Sequence, residues 1–104
     1  MKKLKAAVSH RSRLIEELRA DPRLAREYLA AAIEDGDPKA MLSALRTVAE
    51  ARGMARLAES AGIPRESLYR ALSPKGNPRL STLLAVIKAA GFRLSLEERK
   101  RRAA

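Results

Sequence analysis

The chain is punctuated, and the punctuation limits what it can fold into. Asp21-Pro22 and Asp37-Pro38 each set a side-chain acceptor for a free backbone N–H directly before the helical position that tolerates proline, so each predicts a helix start. Gly36 and Gly53 predict the matching ends. Between these marks, Ala25, Tyr28, Leu29, Ala32 and Ile33 form one apolar stripe at helical spacing, and Met41, Ala44, Leu45, Val48 and Ala49 form a second. Lys39, Ser43, Arg46 and Glu50 fall on the outward side of that second segment. A further helix precedes Asp21, with Ser9 or Ser12 as its expected cap and Leu14, Ile15 and Leu18 on its apolar side.

Beyond Gly53 the elements shorten. Met54, Leu57, Ala58 and Ala61 give two turns of helix before Gly62-Ile63-Pro64 interrupts it, because Gly62 can take the left-handed backbone of a tight turn and Pro64 forbids a continuous helix. Residues 65–72 predict another short helix with Leu68, Ala71 and Leu72 inward. Ser73-Pro74-Lys75-Gly76-Asn77-Pro78 is a loop. Ser81, or Asn77 if the helix starts early, is the expected cap of a last helix that turns Leu80, Leu83, Leu84, Ile87 and Ala90 to the core and stops at Gly91. Phe92, Leu94 and Leu96 then alternate with polar residues, which fits a short strand, one that pairs across a dimer, or an extended tail. The expectation is an all-α bundle of about five helices forming one domain over residues 14–96. A basic amino-terminal arm (1–13) and a basic tail (97–104) flank it.

Composition excludes several classes. The 104 residues contain no Cys and one His, so there is no disulfide framework, thiolate metal site or Cys nucleophile. Glycine-rich phosphate loops, nucleophile elbows and paired-His motifs are absent, which argues against an enzyme; no metal or cofactor is expected. His10, beside Arg11 and Arg13, has no neighbour in sequence that orients it for catalysis and reads as a solvated or phosphate-contacting side chain. With no signal-peptide core and no long apolar run, the default expectation is a cytoplasmic protein without a membrane partner.

The net charge of +10 is unevenly spread. Residues 14–53 hold six basic and eight acidic side chains (net −2), whereas residues 54–92 hold six basic and two acidic (net +4). The positive stretch coincides with a helix, a three-residue turn containing glycine, and a second helix over residues 54–73, the layout of a helix-turn-helix. Ala58 supplies the small residue that steeply crossing helices need, and Leu68 anchors the second helix. Arg65, Glu66, Ser67, Tyr69 and Arg70 are then left at its leading end or outer side. Arg can make two hydrogen bonds to guanine, Glu can accept from cytosine N4, and Tyr can meet a phosphate or a thymine methyl. Lys75, Asn77 and Arg79 in the following loop are candidate phosphate contacts, which fix register without reading sequence. Two amphipathic helices joined by a glycine turn can also simply pack. The combination of Ala58, Gly62, Leu68 and local positive charge favours DNA binding over that reading.

The same stretches resemble the addiction-module antidote (antitoxin) proteins of the lambda-repressor-like helix-turn-helix superfamily. The likeness runs over about residues 20–96, through Asp21-Pro22, Tyr28-Leu29, Gly36-Asp37-Pro38, Ala44-Leu45, Ala51-Arg52-Gly53-Met54, Leu57-Ala58 and Gly62-Ile63. It continues through Arg65-Glu66-Ser67-Leu68-Tyr69-Arg70-Ala71-Leu72-Ser73, Gly76-Asn77-Pro78, Thr82-Leu83 and Ala90-Gly91. The basic ends fall outside the family pattern. The resemblance implies the antitoxin of a type II toxin–antitoxin system: a homodimer that represses its own operon and neutralises a small RelE/ParE-like toxin encoded beside it. A toxin that cleaves RNA is itself basic, so the net-acidic half is the expected toxin side. Its candidate carriers are Glu16, Glu17, Glu27, Glu34, Asp35 and Asp37, each of which also serves as a cap, a dipole partner or a solvated side chain. Two further readings stay open at this level: a stand-alone or phage-type transcriptional regulator, and a protein-interaction module whose basic tails bind RNA or a membrane surface.

Overall fold

Both Asp-Pro pairs start helices as their chemistry requires. In the computed structural model, which describes the backbone of residues 2–100 and the side chains of residues 10–100, Asp21 Oδ1 accepts the Arg23 N–H at 3.0 Å and Asp37 Oδ1 accepts the Lys39 N–H at 3.1 Å. These caps open α2 (Pro22–Asp35) and α3 (Pro38–Arg52). Gly36 closes α2 in the left-handed conformation, and Gly53, also at positive φ, closes α3. The remaining helices are α1 (Lys2–Ala20), α4 (Met54–Ala61), α5 (Arg65–Ala71) and α6 (Leu80–Ala89). The fold is all-helical, with six helices and no strand among the described residues.

Helix α3 is central, packing on α1, α2 and α4, while α4 carries α5 and α6. That position widens its buried face beyond the expected stripe: Leu42, Thr47 and Ala51 are buried with Ala44, Leu45, Val48 and Ala49. Thr47 is the buried polar residue of the core, and its hydroxyl donates to the Ser43 carbonyl four residues back at 3.0 Å. Leu18 of α1, Ala25 and Leu29 of α2, Leu57 and Ala58 of α4, Leu68 of α5 and Val86 of α6 complete one continuous core.

Three expectations are corrected. The first helix begins at Lys2, which places Ser9 and Ser12 inside it and makes the basic stretch part of α1; the Lys2-Lys3-Leu4-Lys5-Ala6-Ala7 run consists of good helix formers. The all-α bundle of about five helices expected from the sequence is present, with six. The residue preceding α6 is Arg79, with no side-chain cap bond, in place of Ser81 or Asn77. Leu80 and Leu84 do not face the core: they are 69% and 45% exposed, because the stripe that meets α4 is Leu83, Val86, Ile87 and Ala90. Residues 92–100 carry no regular structure in the single chain. Met1 and residues 101–104 lie outside the described residues.

Candidate nucleic-acid interface

The turn between α4 and α5 is built by glycine stereochemistry. Gly62 sits at φ 69° and ψ 29°, the Ile63 N–H donates to the Ala58 carbonyl at 3.0 Å and the Gly62 N–H to the Glu59 carbonyl at 3.2 Å. This six-to-one closure satisfies the carbonyls at the end of α4 and turns Ile63 back onto the core. Pro64 precedes α5, and its carbonyl accepts the Leu68 N–H at 2.9 Å, so the second helix starts immediately.

Leu68 is the buried residue of α5, with no exposed surface. At about 100° of rotation per residue, a buried Leu68 sends Glu66 and Arg70 straight outward and sets Tyr69 and Ser67 on either flank. Arg65, in the first turn, is exposed at the leading end. All five are solvent-exposed, as are Lys75, Asn77 and Arg79 in the following loop. The candidate set is therefore presented on one helix and the loop that leaves it. Arg65 places its guanidinium 5.8 Å from the centroid of the Tyr69 ring one turn on, so the two side chains lie together along the helix. No carboxylate among the described residues lies within ion-pair distance of Arg65, Arg70, Lys75 or Arg79: the ion pairs there are Arg11–Glu50 and Arg46–Glu50. Four cations without an ion-pair partner among the described residues, against the one carboxylate of Glu66, make a field suited to an anionic ligand.

The loop after α5 is tightly held. The Ser73 hydroxyl donates to the Arg70 carbonyl at 2.8 Å, and the Gly76 N–H donates to the Ser73 carbonyl at 2.8 Å. Gly76 passes so close to the end of α5 that a Cβ there falls 2.1 Å from the Ala71 carbonyl oxygen and 2.9 Å from that of Arg70. The loop bearing Lys75, Asn77 and Arg79 is thereby clamped to α5. In the sequence Gly76 is one more loop glycine, and nothing local marks it as a close approach.

On the other half, Asp37 is engaged as the α3 cap. Glu16, Glu17, Glu27, Glu34 and Asp35 are exposed and form no ion pair among the described residues. No cluster of metal-ligating side chains occurs among the described residues, and no helix there is long and apolar enough to cross a membrane.

Residues 11–98 match the family described as "Probable addiction module antidote protein". The chain is also similar to an uncharacterized protein of Haemophilus influenzae, with 39% identity over 71 residues that cover 68% of this chain and 73% of that protein. No solved structure matches significantly.

Proposed function

The chain belongs to the family of probable addiction module antidote proteins, and on that premise we propose that it is an antitoxin that also represses its own operon. In this reading α4 and α5 act as a lambda-repressor-like helix-turn-helix on operator DNA, and the protein neutralises a small RelE/ParE-like toxin by direct contact. The observation that carries the DNA part is the outer surface of α5: Leu68 is sealed into the core while Arg65, Glu66, Ser67, Tyr69 and Arg70 stand exposed, with Lys75, Asn77 and Arg79 clamped beside them. Arg65 at the leading end suits a base edge, and Glu66 and Arg70 on the outward line supply an acceptor and a donor one turn apart. The three loop residues are assigned to phosphates.

The toxin side is assigned to α1 and α2, whose five exposed carboxylates form no ion pair among the described residues and suit a basic partner. The homodimer is assigned to α6, where Leu80 and Leu84 lie one turn apart with unburied apolar surface that a second copy can cover. In a dimer the two α5 helices should meet half-sites about one helical turn, roughly 34 Å, apart.

Coexpression with the neighbouring gene product and a gel shift on the sequence upstream of the chain's own reading frame test the two halves separately. Copurification, growth rescue and a shifted duplex are expected. A chain that shifts the duplex yet neither copurifies nor rescues growth is a regulator without a toxin.

A further inference from the structure

The outward stripe of α3 leads to a second basic surface. Lys39, Ser43, Arg46 and Glu50 floor a groove of about 520 Å³ whose walls are Arg11 of α1 and the turn at Ser73 and Pro74 that leaves α5. Glu50 is the groove's acid, and it holds two guanidiniums at once: Arg11 Nη2 lies 2.9 Å from Oε2 and Arg46 Nε 3.2 Å from Oε1. Arg11 Nη1 also donates to Thr47 Oγ1 at 3.3 Å. The carboxylate therefore orients both arginines without occupying all their donors, and the Nη atoms of Arg46 have no partner among the described residues. Lys39 is exposed and makes no ion pair there. Three cations against one anion leave the groove at net +2, and Leu72, Ser73 and Pro74 in its wall form the turn that joins α5 to Lys75.

We infer that this groove binds the sugar–phosphate backbone of the duplex whose bases α5 reads, an inference that rests on the DNA-binding function proposed above. Guanidiniums fixed by a shared carboxylate present planar donor forks that match phosphate oxygens, and such contacts add affinity and register without sequence preference. The groove's wall is the turn that joins α5 to the loop bearing Lys75, Asn77 and Arg79, which favours the DNA backbone over an acidic protein segment. Although residues 14–53 are net acidic, the part of α3 beside α5 is thus assigned to the nucleic acid.

The test is the salt dependence of binding to the duplex upstream of the chain's own reading frame, by fluorescence anisotropy, for wild type, Lys39→Ala, Ser43→Lys, Ala31→Lys and Arg65→Ala. Each phosphate contact contributes about one unit to the slope of log K against log salt. Lys39→Ala should lower the slope by about one on matched and scrambled duplexes alike. Ser43→Lys adds a cation inside the groove and should raise it by about one, a gain that misfolding cannot produce. Ala31→Lys places the same charge on exposed α2 outside the groove and should leave the slope at its wild-type value. Unchanged slopes for Lys39→Ala and Ser43→Lys, with Arg65→Ala still relaxing base preference, overturn the groove and leave the reading helix standing. So does an Ala31→Lys effect equal to that of Ser43→Lys. If Lys39→Ala weakens toxin copurification but not duplex binding, the groove belongs to a protein segment and the inference also falls. A wild type that binds no duplex removes both assignments.

Discussion

Helices α2 and α3 run 14 and 15 residues, and each begins on an aspartate that accepts a backbone N–H, whereas α4 and α5 run 8 and 7 residues and have no side-chain cap bond. Isolated helices shorter than about 12–15 residues are marginal in water, so the second pair depends on its turns and on what it buries. α5 depends most, since its buried residue is Leu68 alone and the chain on either side of it is fixed by Gly62 and Gly76. The difference shows how this fold separates stability from display. A short helix with one buried anchor leaves nearly its whole circumference for a ligand, and the long capped helices supply the rigid base.

The sharpest way to break that comparison is to remove the anchor. Leu68→Ala should cost about 2–5 kcal/mol in urea unfolding. Hydrogen exchange on the same variant should show protection lost first in α5 while the α2 and α3 amides keep theirs; uniform loss would mean that the two regions do not differ as described. Gly76→Ala is next, because the added methyl meets backbone and not a yielding side chain, and an overpacking cost of about 1–3 kcal/mol is expected together with weaker DNA binding from a displaced loop. A Gly76→Ala protein with wild-type stability would show that the clamp is not needed.

The smallest effects compare the two ways of ending a helix. Gly62→Ala forces a Cβ into the left-handed region, at about 1–2 kcal/mol, although nothing lies within 4 Å to clash with it. Asp37→Ala removes the α3 cap bond and should cost about 1 kcal/mol. Thermal unfolding ranks the pair, and operator binding separates them, since only the Gly62 change should reorient α5.

Much of this architecture is legible from local chemistry. The Asp-Pro starts, the glycine stops, the break at Gly62-Ile63-Pro64 and the exposure of residues 65–67, 69 and 70 all follow from residue types within a few positions of one another. What escaped depends on partners distant in sequence. Leu80, Leu83, Leu84 and Ile87 form an ordinary stripe of about 100°, and the approach of α4 rotates the buried face onto its one edge, Leu83 and Ile87, together with Val86 and Ala90. The start of α1 carries no Ser, Thr, Asp or Asn to mark it, and the signal that extends the helix to Lys2 is the continuation of the Ile15 and Leu18 spacing through Leu4, Ala7 and Val8. The groove beside α5 needs Arg11 of α1 to arrive next to α3, and Glu50 is 39 positions from Arg11. Outward residues on α3 read as a solvated face until that neighbour is in place.

In the proposed function α5 reads DNA while the rest of the chain supports it and meets other partners. Equilibrium binding of wild type and Arg65→Ala to the upstream duplex and to single-base variants of it tests this most directly. Arg65→Ala should lose about 1–3 kcal/mol on the wild-type duplex and relax preference at one base pair of each half-site, with unchanged thermal stability. Equal affinity and equal base preference for the two proteins would contradict it.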